Sequence, residues 1–229
     1  MLLYNARDLF DNPPALFAYL GAFIVAIVTG IAFHEFSHAW AANELGDDTA
    51  KRQGRLTLNP AAHIEPLGAL LLLLVGFGWG RPTPVDPNRL RTGPKLGNML
   101  VALAGPISNF VFATIAALPL KLGWIDSIAT LNGIRDASGE QIVGLFLFFV
   151  VFYNVILGIF NLIPIPPLDG FKVAVGILPG EASRQLQRLD QYGMGILLAV
   201  FAIGFVAPQY SPIRFIVGPL SDRIMRIIL

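Results

Sequence analysis

The sequence predicts an all-α, polytopic membrane protein, and three observations carry that prediction. Of 229 residues, 55% are hydrophobic and only 14% are charged, with a mean hydropathy of +0.64. A soluble domain carries nearer a quarter charged residues, so the solvent implied is the bilayer. Apolar runs then recur at the length of roughly 20 residues that a spanning helix needs. Finally, lysine and arginine collect in some of the intervening loops and are scarce in others, the asymmetry that orients membrane helices.

Taken in chain order, a first span runs from about Ala15 to Ala42. The residues before it mix Arg7 with Asp8 and Asp11, and the apolar run leads directly into a polar motif, so the segment reads as a retained span rather than a cleavable leader. Residues 66–80 are too short to cross comfortably and end in Gly76-Phe77-Gly78-Trp79-Gly80, which predicts a buried or re-entrant stretch rather than a regular helix. Further spans cover about 96–120, 142–163 and 192–206. A final helix over 213–229 either lies at the interface or crosses. It places Leu220, Ile224, Ile227 and Ile228 on one face, with Asp222, Arg223 and Arg226 elsewhere. The expectation is four to six membrane segments in a single domain over 1–229, with an extended or re-entrant element near 66–87. Asn132-Gly133 marks a turn in the polar loop 121–141.

Between the first and second long spans lie Lys51, Arg52, Arg55, Arg81, Arg89, Arg91 and Lys95, whereas the next loop holds only Lys121 and Arg135. The positive-inside rule places the first loop in the cytoplasm and the N-terminus outside. Segment 164–191, with Lys172, Arg184 and Arg188, returns to the cytoplasmic side. Net charge is +1, and no basic cluster interleaved with aromatics suggests a nucleic-acid surface. The chain has no cysteine, so a metal site would have to use His, Asp or Glu.

Two of the three histidines fall near the second end of the first span, in His34-Glu35-Phe36-Ser37-His38. On a helix, i and i+4 stack both imidazoles on one face, where they can hold one zinc ion, and the carboxylate between them can serve as general base toward the attacking water. An ionisable cluster within hydrocarbon is a functional-site hypothesis by default. The competing explanation is an accidental match, with the histidines bonded to neighbouring helices. A catalytic zinc usually takes three protein ligands, and Asp169, in a segment that topology returns to the histidines' depth, is the best third candidate. Three prolines would hold its approach extended, and Gly170 would permit close backbone approach. On spacing alone, capping of the next apolar helix competes equally for Asp169.

Together with that motif, Ala104-Gly105-Pro106-Ile107-Ser108-Asn109 in the second long span and Asn161, Pro164, Leu168, Asp169 and Gly170 after the third resemble the site-2 protease family of intramembrane zinc metalloproteases. Residues Gly54 to Gly68, including Asn59, Pro60, His63 and Glu65, resemble its compact prokaryotic members. The resemblance covers almost the whole chain in order. It implies His34, His38 and Asp169 as ligands of one zinc ion per chain, Glu35 as catalytic base, and Asn161 as a group binding the scissile peptide or its oxyanion. An amide N–H in a dry site suits that last role, although interhelical hydrogen bonding is the bland alternative.

Asn98, Ala102, Gly105 and Asn109 form a small-and-polar stripe, and Asn154, Gly158 and Asn161 form another. Close packing explains Gly105, and hydrogen bonding between helices explains Asn154 and competes for Asn109. His63 reads as structural or solvated. The proline-rich Trp79–Pro87 segment is either a surface loop or an edge that receives unwound substrate.

The function expected is thus a zinc endopeptidase of the cell membrane, with its active site toward the cytoplasm and an unwound transmembrane segment of another membrane protein as substrate. The chain has no room for a PDZ or cystathionine-synthase-type domain. The alternative is a non-hydrolytic membrane protein that binds or transports metal ions.

Overall fold

A computed structural model describes residues 13–75, 78–126 and 138–229, without the side chains of 72–75. Gly76-Phe77, Arg135 and the Asn132-Gly133 turn lie outside the described residues, as does most of the 121–141 loop. Helices α1 (Pro13–Glu44), α2 (Pro66–Val75), α3 (Pro94–Lys121), α4 (Gly139–Asn161), α5 (Asp169–Ile177), α6 (Gly180–Gln187), α7 (Gly193–Val206) and α8 (Pro212–Ile228) make up the architecture. Among the described residues no strand forms, only an isolated antiparallel bridge between Ile64 and Gly80. The expected all-α polytopic fold is observed, with four helical stretches long and apolar enough to cross a membrane: Pro13–Glu44, Pro94–Lys121, Gly139–Asn161 and Gly180–Val206.

Local chemistry sets the boundaries. Gly46, at φ +106°, takes the chain out of α1 in a conformation other residues rarely adopt. Pro94 occupies the first position of α3, where its missing N–H costs nothing. Ser138 and Gln141 form a reciprocal capping box on α4.

Helices α1, α3 and α4 pack on one another through small residues, as membrane helices do when there is no water to expel. On α1 the buried residues include Ala22, Ala26, Gly30, His34, His38 and Ala42, and on α3 Gly97, Val101, Gly105, Asn109, Ala113 and Ala117. Each set repeats every four residues, one stripe along one helix face. At the N-terminal end of α1, Tyr19 packs edge-on against Phe149 of α4 with ring centroids 4.8 Å apart.

Two expectations need correction. Residues 66–75 are a regular helix, and the non-helical chain is found later, over residues 78–86. The segment before Asp169 is not extended: Ile165 N–H donates to Ile163 O and Leu168 N–H to Ile165 O, so residues 162–168 fold as consecutive tight turns. Proline fixes φ but leaves ψ free, and a turn satisfies it as well as an extended chain does. In α8, Val217, Ser221, Met225 and Ile228 are buried and Ile224 is half-buried, while Leu220 and Ile227 are exposed.

Candidate metal centre

His34 and His38 stand on the last third of α1, one turn apart and both buried. Asp169 is the first residue of α5 and also buried. Gly170 lets this helix start press against the end of α4, since a Cβ there would collide with the Leu162 and Ile163 carbonyl groups. The α5 N-cap is Leu168 and makes no side-chain cap, so Asp169 is not spent on capping. Its Oδ2 lies 2.9 Å from His34 Nε2 and 3.1 Å from His38 Nε2, and the two Nε2 atoms are 3.0 Å apart. Oδ1 faces Lys172 Nζ at 3.7 Å.

The other ring nitrogens decide what these atoms are. His34 Nδ1–H donates to Asn109 Oδ1 at 2.7 Å, and His38 Nδ1–H donates to the Val101 carbonyl at 2.7 Å. With Nδ1–H so engaged, a neutral imidazole at either position turns its Nε2 lone pair inward. Three acceptor atoms thus converge in a buried space, an arrangement that repels itself unless a cation joins it. Their separations are close to the roughly 3.3 Å between ligands around a tetrahedral zinc with bonds of about 2.0–2.1 Å. Gly105 supplies the room: a Cβ there would lie 2.5 Å from His38 Cε1 and Nε2 and 2.7 Å from His34 Cε1. The residues present fit zinc.

Glu35 is half-buried and held from the opposite side. Thr83 N–H donates to Glu35 Oε2 at 2.8 Å, and Thr83 Oγ1 donates to the Glu35 carbonyl at 3.0 Å. The segment carrying Thr83 is itself pinned. Arg81 N–H donates to the His63 carbonyl at 2.7 Å, the buried Arg55 guanidinium donates to the Arg81 carbonyl, and Asp86 N–H donates to Asp47 Oδ2 at 2.7 Å. Burial lowers the Arg55 pKa, while the nearby Glu35 carboxylate works against that shift. Asp47 is buried yet shifted downward, because hydrogen bonds from Thr49 and the Asp86 N–H outweigh its desolvation.

The structure brings together His34, His38 and Asp169, with Asn109 directly behind His34. Asn161 makes no described hydrogen bond to that group: its amide is half-buried and donates to Leu157 O of its own helix at 2.9 Å. His63 is fully buried, not solvated, and its Nε2–H donates to Thr57 O at 2.7 Å. Asn154 Oδ1 accepts from Asn109 Nδ2 at 3.4 Å, the interhelical bond expected of it. Sequence reasoning missed Thr83 and the steric role of Gly105. The one available signal was the four-residue repeat that places Gly105 on the inward stripe of α3.

Residues 121–204 match the profile of peptidase family M50. A provisionally named zinc metalloprotease of Bacillus subtilis, YwhC, is 37% identical over 191 residues, which cover 82% of this chain and 82% of that protein. The chain belongs to peptidase family M50. Another member, the provisionally named zinc metalloprotease Rip2 of Mycolicibacterium smegmatis, is 30% identical over 190 residues, covering 80% of this chain and 68% of the relative. The regulator of sigma E protease of Haemophilus influenzae is 30% identical over 108 residues, 42% of this chain and 24% of that protein. No solved structure matches. The site-2 protease resemblance therefore holds, and this M50 protein is a multi-pass membrane zinc metalloprotease.

Proposed function

We propose that this protein cleaves peptide bonds within or beside the transmembrane segments of other membrane proteins, at a site toward the cytoplasmic side. The observation that carries this reading is the convergence of His34, His38 and Asp169 on the buried face of a helix long enough to span the bilayer. A soluble substrate would not require its catalyst to be placed there, and the cost of desolvating ionisable groups in a membrane argues for a substrate found there too. Because every backbone group in a helix is already hydrogen-bonded, such a substrate must arrive unwound.

Zinc, when bound, acts as a Lewis acid that polarises the scissile carbonyl and acidifies water. His34 and His38 hold their Nε2 lone pairs inward, and Asp169 supplies the negative charge that offsets the dication. Glu35, oriented by Thr83 through Oε2, takes a proton from the attacking water and passes it to the leaving amine. The pinned 79–87 segment forms the wall beside Glu35. Its Arg81 and Thr83 N–H groups are engaged by the protein, and Pro82 and Pro84 have none to offer. A substrate strand would therefore find carbonyl acceptors rather than a full ladder along that segment.

Orientation is supported by the cluster of Lys51, Arg52, Arg55, Arg81, Arg89, Arg91 and Lys95 between α1 and α3. Lys95 donates to the Leu178 carbonyl, so the end of α5 lies with that cluster at the start of α3.

The deciding experiment compares wild type with Glu35→Gln in detergent, using a model transmembrane substrate and measuring bound zinc in parallel. Gln cannot take the proton but leaves the ligands intact, so hydrolysis should disappear while zinc stays at one per chain. Retained turnover in the zinc-loaded variant would refute Glu35 as base. Metal flux through reconstituted vesicles without any hydrolysis would favour a transporter instead.

A further inference from the structure

We infer that Asn109 is a positioning residue of the metal centre, setting the tautomer and orientation of His34. The inference rests on reading His34 as a zinc ligand. Asn109 is fully buried on α3, and its Oδ1 accepts the His34 Nδ1 proton at 2.7 Å, a bond as short as any at this site. The amide cannot flip. Its Nδ2 donates to the Gly30 carbonyl at 3.1 Å and to Asn154 Oδ1 at 3.4 Å, while Asn154 Nδ2 donates to the Val150 carbonyl at 2.9 Å. Reversal would set donor against donor at His34 and acceptor against acceptor at Gly30. The orientation is thus dictated by backbone carbonyls on α1 and α4, and relayed through two asparagines to the imidazole.

The consequence is chemical. Were Nε2 to carry the proton, His34 would present a donor to the metal position and could not ligate. With Nδ1–H engaged, the lone pair is on Nε2 and the ring plane is fixed, and the polarised imidazole is a stronger donor. His38 receives the same service from the Val101 backbone carbonyl, which no side-chain substitution can remove. His34 depends on a side chain, so its Nδ1 acceptor is the one that a substitution can remove. Gly30 belongs to the device: a Cβ there would lie 2.8 Å from Asn154 Oδ1.

The test uses the full chain in detergent and measures the zinc dissociation constant by chelator competition, with the thermal midpoint of the zinc-free protein as a second readout. Asn109→Leu, which removes the acceptor, should weaken zinc binding about 10–100-fold, the range typical of lost outer-shell partners. Asn109→Asp is decisive, because it keeps the acceptor but surrenders the donors to Gly30 and Asn154. Asp should lower the zinc-free thermal midpoint yet hold zinc at least as tightly as wild type. A residue that merely glues helices together would lose zinc affinity and stability in step in both variants, and that result would overturn the inference. So would wild-type affinity in Asn109→Leu. Should the Leu variant not fold, the Asp variant alone decides, and tenfold weaker zinc in it defeats the proposal. Failure of the wild type to bind zinc would defeat the metal-centre reading itself.

Discussion

Gly105→Ala adds one methyl group opposite the two histidines without replacing a ligand. Its Cβ would sit 2.5 Å from both Cε1 and Nε2 of His38, whereas ordinary contact begins at 3.4 Å. About 0.9 Å must therefore be recovered, by ring rotation or by parting α1 from α3, against a tolerance of about 0.2 Å in metal–ligand distances. Rotating the His38 ring breaks its bond to the Val101 carbonyl, and parting the helices opens a packed seam. Overpacking of this kind costs about 1–3 kcal/mol. Concentrated in the zinc-bound state, that corresponds to a loss of roughly 5–150-fold in affinity, at 1.4 kcal/mol per tenfold.

The assay is zinc competition in detergent with peptidase activity measured alongside, and Gly97→Ala as control. A Cβ at Gly97 would meet Leu90 Cβ at 2.7 Å, a comparable clash about 12 Å along the same helix. The control should lose thermal stability while keeping zinc, and Gly105→Ala should lose zinc. Unchanged zinc affinity and turnover in Gly105→Ala would show that the rings do not rest on this glycine.

Asp169→Ala should empty the zinc site, and Asp169→Asn, which keeps the size and loses the charge, should bind zinc weakly and show little activity; full occupancy and normal turnover in both would remove Asp169 from the ligand set. Thr83→Pro deletes the N–H that holds Glu35 Oε2 and should reduce kcat at least about tenfold with zinc still bound, so an unchanged kcat would dismiss Thr83 as the group orienting the base. Cysteines placed singly at Thr92 and Ser138 should be labelled from opposite sides of the membrane, Ser138 from outside, and labelling of both from one side would overturn the orientation.

The histidine pair and the spans were legible because each depends on one helix alone: a period of 3.6 residues puts His34 over His38 whatever surrounds them, and length with hydropathy suffices for a span. Asp169 was legible as a candidate only, since its depth followed from topology while its direction depended on how α5 starts. What stayed hidden depends on how two elements meet. That Gly105 lies under the rings, that Asn109 reaches His34, and that Thr83 docks on Glu35 are facts of registration between α1 and its neighbours. In α8 the apolar face read from sequence is divided, with Leu220 and Ile227 outward, Ile224 half-buried and Ile228 buried. In a bilayer lipid is as apolar as leucine, so an apolar side chain can face either way and hydropathy alone does not mark the buried stripe.

The seam between α1 and α3 and the metal centre are a single construction. Gly30 faces Asn109 and Asn154, and further along α1 the Val101 carbonyl of α3 comes within 2.7 Å of His38. Where α1 then replaces small residues with two imidazoles, α3 answers with Gly105, whose missing side chain leaves space for the rings. Where the imidazoles bring polar Nδ1 atoms into the seam, α3 answers with a backbone carbonyl and Asn109. In hydrocarbon an unpaired polar group is expensive, so satisfying both Nδ1 atoms within the protein is a condition for placing histidines there at all. The same bonds force both Nε2 lone pairs toward Asp169. Packing, polar satisfaction and ligand preparation are therefore met by one set of contacts, and a change that removes an Nδ1 acceptor or crowds the rings should be felt at the metal.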